Sequence, residues 1–191
     1  MPLKDNAIFI HIPKTGGQSV SSLLGINKGD RSKFYADELT HLTIQMLDDR
    51  MDISGKYIFS FVRNPYDKII SEYGWRMKNR TSVVFNEPTK KLITFDEYMD
   101  VLAERWDKMD GEWHTKAHVS PQHKFIDDRV EVFRFEWFES ECAKLKKKLG
   151  ISKAIPHVNR GGKKSKHTKR TIEIVNELYK EDFKTFGYYM L

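Results

Sequence analysis

The stretch AIFIHIPKTGGQSVSSLL, residues 7–24, decides the fold. Ala7 to Ile12 is a short, largely apolar run closed by Pro13, the pattern of a strand buried on both faces. Lys14 to Ser19 follows as a turn with paired glycines, and Ser19 to Leu24 has helical content. Two glycines let backbone N–H groups come close to an anion, and the helix behind them adds its positive end. Lys14 supplies a full charge; Thr15, Gln18 and Ser19 supply further hydrogen bonds. Strand, anion-cradling loop and helix form the opening half of a βαβ unit. The loop is no Walker A motif, because its lysine precedes the glycines.

A second unit of the same kind follows. Lys56 to Val62 (KYIFSFV) is β-rich and apolar without alternation, so it reads as a central parallel strand. Arg63 stands at its carboxyl end, where open α/β sheets place their ligands. Asn64 and Pro65 supply an N-cap and a first-turn proline for a helix through about Lys78. Ser71 lies about two turns into that helix, on a side that can face the same anion as Arg63. Two such units predict an α/β fold with a parallel sheet and helices on both faces.

The remaining elements are read more simply. Leu42 to Arg50 predicts a helix and Asn79 to Lys91 a loop; Thr94 with Glu97 forms a capping box for a helix reaching about Asp107. Arg129 to Phe135 alternates and predicts a third strand, and Trp137 to Leu149 a helix ending at Gly150. Ser152 to Lys169 reads as a basic, glycine-containing loop, with a final helix from Thr171 to Phe183. There is no internal repeat, and residues 1–191 fit a single domain.

Composition bounds the function. Of 191 residues, 39% are hydrophobic and 13% aromatic, enough for a packed core, and the net charge of +6 favours an anionic partner. Cys142 is the only cysteine, which excludes an intramolecular disulfide and a cysteine-based zinc site. No signal peptide and no apolar run of membrane-spanning length is read, so a cytoplasmic location is expected. His114, His118 and His123 are closely spaced, but Pro121 interrupts them and no carboxylate completes a ligand pattern, so no metal is expected. No RNP or zinc-finger motif points to nucleic acid.

IHIPKTGGQS and FVRNPYDKIISEY resemble the 5′-phosphosulfate loop and the 3′-phosphate segment of carbohydrate-type sulfotransferases, the group that includes heparan sulfate and chondroitin sulfotransferases. These use 3′-phosphoadenosine 5′-phosphosulfate (PAPS) and release 3′-phosphoadenosine 5′-phosphate (PAP). The resemblance continues through His41-Leu42-Thr43, His118-x-x-Pro121-Gln122, the end of the Arg129–Phe135 strand, Pro156-His157-Val158-Asn159 and the C-terminal Tyr179–Tyr188 segment. Gln18 stands where the family loop more often has threonine. The resemblance implies a P-loop NTPase-like, three-layer α/β fold. It implies that Lys14 holds the bridging and sulfuryl oxygens, with Thr15, Gly16, Gly17, Gln18 and Ser19 around the 5′-phosphate. Arg63 and Ser71 would hold the 3′-phosphate, joined by a second clamp from Arg160, Gly161 and Lys163. His41, in the region where the family carries its catalytic His or Glu, would be the general base.

Each of these residues has a plainer reading. Lys14 can be an exposed lysine on a strand-to-helix turn, Arg63 a surface ion pair, and His41 a polar residue at a helix start. His118 and Gln122 line the acceptor or cofactor pocket, or belong to a polar loop. The four lysines of Lys144–Lys148 read as a solvated helix face. The expected activity is metal-independent, in-line transfer of a sulfuryl group from PAPS to an acceptor hydroxyl, a carbohydrate by resemblance. A P-loop kinase or NTPase is the nearest rival, and its loop order and strand-end acid are missing. A non-catalytic nucleotide- or polyanion-binding module is the other.

Overall fold

The computed structural model describes residues 3–4, 6–25, 41–79, 85–86, 91–108, 113–155 and 165–191. In chain order the elements are β1 (Leu3–Lys4), β2 (Ala7–Ile10), α1 (Gly17–Leu23), α2 (Ile44–Asp48), β3 (Tyr57–Val62) and α3 (Pro65–Asn79). They continue with β4 (Phe85–Asn86), β5 (Lys91–Leu92), α4 (Phe95–Glu104), α5 (Trp113–Val119), β6 (Val130–Arg134), α6 (Phe138–Leu149), α7 (Lys169–Leu178) and α8 (Lys180–Phe186). The chain divides into two compact units, Met1–Arg63 with Gln122–Asn159, and Asn64–Pro121 with Arg160–Leu191.

The first unit holds the sheet, in the order β1-β2-β3-β6. β2 pairs parallel to β3 with Phe9 opposite Phe59, and β3 pairs parallel to β6 with Phe61 opposite Phe133. These phenylalanines share one face, and both cross-strand pairs stack, Phe9 on Phe59 at 5.2 Å and Phe61 on Phe133 at 5.3 Å between centroids. Val20 and Leu23 of α1 and Cys142 and Leu145 of α6 pack against that face. Ile8, Ile10, Ile58 and Val62, of the opposite parity, are buried too. Burial on both sides is why β2 and β3 read as continuous apolar runs. β6 departs from the expected alternation: Val130 and Phe133 are buried, but Glu131 and Val132 are exposed, as suits the edge position it holds among the described strands. The α/β class with a parallel sheet is thus what the structure shows.

The second unit is helical around α3. Asn64 Oδ1 accepts the Tyr66 N–H at 3.0 Å and so caps α3 as its sequence predicts. Thr94 and Glu97 form the expected capping box. Ile69, Tyr73, Tyr98, Met99, Ile174 and Val175 belong to the apolar core of this unit. Glu72, wholly buried, meets Arg76 Nε at 2.7 Å and His118 Nδ1 at 2.9 Å. Lys68 Nζ donates to the carbonyls of His118 and Ser120, around the C-terminal end of α5.

Several elements differ from the sequence reading. The segment around His118, for which a polar loop is the plainer of two readings, is the helix α5. In the expected loop of residues 79–91 and at its end, β4 and β5 pair antiparallel. The single C-terminal helix is two, because Tyr179 leaves helical geometry (φ −116°, ψ 19°) while its buried hydroxyl donates to the Val119 carbonyl at 2.7 Å. α7 also starts two residues early, at Lys169, because Thr168 with Thr171 caps it. Among the described residues no helix is long and apolar enough to cross a membrane.

Burial pushes the Cys142 thiol up to about 12, with nearby Glu141 adding to the rise. A disulfide reagent at pH 8 is therefore expected to label native Cys142 at least about a hundredfold more slowly than the denatured chain. Absorbance of the released thiol measures this, and comparable rates would contradict the buried assignment.

Candidate functional site

The carboxyl ends of β2 and β3 carry the residues singled out above. After β2 the chain passes through His11 and Pro13 into a turn at Lys14, whose φ of 69° is in the left-handed region. The turn is fixed from inside: Thr15, wholly buried, donates its hydroxyl proton to the Ile12 carbonyl at 2.8 Å. Gly16 then caps α1, its carbonyl accepting the N–H groups of Ser19 and Val20.

Both glycines are required by their neighbours. Gly16 has a φ of 86°, and a Cβ there would come within 2.8–3.0 Å of the Phe135 and Phe138 rings. At Gly17 a Cβ would lie 1.9 Å from the Cδ2 and Nε2 atoms of His11. The loop thus carries rings against its backbone on two sides. Ser19 is buried, while the side chains of Lys14 and Gln18 are half-buried.

Arg63 is tied to this loop. Its guanidinium donates to the Lys14 carbonyl at 3.2 Å and lies 4.5 Å from the centroid of Phe135. Its backbone is held by Gln122, which is wholly buried: Gln122 Oε1 accepts the Arg63 N–H and Gln122 Nε2–H donates to the Arg63 carbonyl, both at 2.8 Å. The amide therefore pairs with Arg63 as a neighbouring strand would, one residue past the end of β3.

His41 belongs to the same unit. It is 7% exposed, has a φ of 68°, and precedes Thr43, whose side chain caps α2. Its Nδ1 lies 2.8 Å from the His11 carbonyl oxygen, and its ring is 4.5 Å from the His11 ring. A carbonyl can only accept, so Nδ1 carries the proton and Nε2 of the neutral ring carries the lone pair. An imidazole oriented in this way can accept a proton at Nε2.

The structure brings Lys14–Ser19, Arg63, His41 and Gln122 into the first unit. Ser71, half-buried on α3, and His118, paired with Glu72, belong to the second. Arg160, Gly161 and Lys163 lie outside the described residues, as does Pro156–Asn159. Among the described residues no group of three or more His, Cys, Asp or Glu side chains is assembled as for a metal ion. Phe135 and His11 carry parts that sequence reasoning did not assign. The one available signal was position, an aromatic just past one strand and an imidazole just before the loop.

A family model described as the sulfotransferase family matches residues 3–189. No curated protein and no solved structure matches the chain.

Gln122→Ala leaves the part-buried N–H and carbonyl of Arg63 without the amide that pairs them. The expected loss of stability is about 1–3 kcal/mol in all. Urea unfolding measures it, and a change below about 0.5 kcal/mol would show that the pairing carries no weight.

Proposed function

The chain belongs to the sulfotransferase family, and from that premise we propose that it transfers the sulfuryl group of PAPS to a carbohydrate hydroxyl, with His41 as general base. The observation that carries this reading is His41 itself, buried, with Nδ1–H bound to the His11 carbonyl and Nε2 left as the basic atom. The family match spans both compact units, which supports reading residues 1–191 as one catalytic domain.

The donor set at the strand ends fits PAPS. Two cations, Lys14 and Arg63, are joined through the Lys14 carbonyl beside a turn carrying the hydroxyl and amide of Ser19 and Gln18. Lys14, Thr15, Gly16, Gly17, Gln18 and Ser19 are the residues for the 5′ end; Arg63 and Ser71, with Arg160, Gly161 and Lys163, are those for the 3′-phosphate. When bound, PAPS supplies an activated sulfuryl group on a phosphate leaving group. His41 Nε2 takes the acceptor hydroxyl proton as the oxygen attacks, and the Lys14 ammonium offsets charge that grows toward the leaving group. Fixed donors meet that charge without covalent catalysis, as in phosphoryl transfer. His118 is assigned to the acceptor pocket. Gln122 serves through Arg63, whose backbone it holds.

Two outcomes are expected. Arg63→Ala weakens PAP binding by about 1.5–3 kcal/mol, roughly ten- to a hundredfold in Kd by calorimetry, while ATP binds weakly to both proteins. Unchanged PAP affinity would remove Arg63 from the site, and tight ATP binding would favour a kinase.

His41→Ala should lower turnover roughly 10²–10⁴-fold with PAP affinity nearly intact. Labelled PAPS with a panel of saccharides, small alcohols and phenols measures the turnover and selects the acceptor. Near-normal turnover in the variant would exclude His41 as base.

A further inference from the structure

The ring of His11 is held on three sides. It stacks on Phe9 at 5.6 Å between centroids and 20° between planes. Its Cδ2–Nε2 edge lies against Gly17, where not even a methyl group fits. The third neighbour is the ring of His41, 4.5 Å away and tilted by 56°. His41 is nearly buried and His11 half-buried over the wholly buried Phe9, so water screens the two imidazoles only in part. The proton on His41 Nδ1 goes to the backbone carbonyl of His11. The His11 side chain therefore acts on His41 through ring contact and charge, separately from that hydrogen bond.

Two imidazoles so close oppose double protonation: a proton held by one disfavours a proton on the other. We propose that His11 is a positioning residue for sulfuryl transfer, whose ring confines the ring of His41 and whose capacity for charge keeps His41 in its neutral, basic form. The role rests on the reading of His41 as the base. Among the described residues, the other charged groups on the elements that meet here are Lys14, in the loop after β2, Arg63, at the end of β3, and Asp48, at the far end of α2 and paired with Arg129, while Thr43 at the start of α2 is neutral. Lys14 and Arg63 are unchanged in the variants below, so any difference isolates His11.

His11→Phe keeps a ring to stack on Phe9 and removes the second titrating group; His11→Gln removes both ring and charge. Carbon and nitrogen NMR of histidine-labelled protein follows the protonation of His41 directly, with His41→Ala assigning its resonances. In either variant the midpoint of His41 protonation should rise by about one pH unit, and the acid limb of kcat/KM should move with it. The Nδ1–H signature should persist in His11→Phe, because its acceptor is the backbone. A midpoint that is unchanged or lower in a folded variant overturns the proposal, and either variant suffices for that decision. The two failures are separable. A His41→Ala enzyme that still turns over removes the base, whatever the midpoints; an inactive one with an unmoved midpoint in His11→Phe removes only the role of His11.

Discussion

Beyond the last residue of β3, the N–H and carbonyl of Arg63 are both taken by one side chain, the amide of Gln122. That pairing extends the order of the sheet by one residue without extending a strand, and it determines where the guanidinium can go. With its backbone fixed, Arg63 reaches the Lys14 carbonyl and lies over Phe135. Phe135 in turn lies against Gly16, and Gly17 against His11. The loop after β2, the end of β3 and the turn after β6 thus form one set of contacts, in which each aromatic or imidazole ring occupies space that a side chain at the glycines would fill. Preorganisation of this sort suits chemistry that depends on fixed donors and placed charge.

The parts of the fold that the sequence makes legible are those with local causes. β2 and β3 show as unbroken apolar runs because both their faces are buried, and the starts of α3 and α4 show through Asn64 and the Thr94–Glu97 pair. The paired glycines mark the loop, although their reason differs from the one inferred. By sequence they leave room for an anion, and in the structure they leave room for Phe135, Phe138 and His11. What stays hidden has causes far away in the chain. Gln122 meets Arg63 across 59 residues, and no periodicity announces an amide aimed at a backbone. The break at Tyr179 belongs with its hydroxyl bond to Val119, 60 residues distant, while local helix signals continue through it.

The buried charges of the second unit illustrate the same point. Lys68, Glu72 and Arg76 follow one another at four-residue spacing on α3, a spacing that on an exposed helix puts charges side by side in water. Each is at most 5% exposed, and their partners include His118 and the carbonyls at the end of α5. Removing one member leaves another uncompensated, so the group is costly to alter piecemeal. His118 is held by Glu72 through Nδ1, which fixes the orientation of its ring.

Neither compact unit is a continuous piece of chain, since the first resumes at Gln122 and the second at Arg160. On a ribosome this order has a consequence. β3 is made early, but its parallel partner β6 follows only after α3, α4 and α5 have been synthesised. Until then the strand bearing Phe59 and Phe61 has an open edge, and Arg63 lacks the amide that holds it. The nascent chain must carry a sticky, half-built sheet for much of its synthesis, with the attendant exposure to aggregation and chaperone capture. Parallel pairing between segments so far apart is also slow to form once the chain is released.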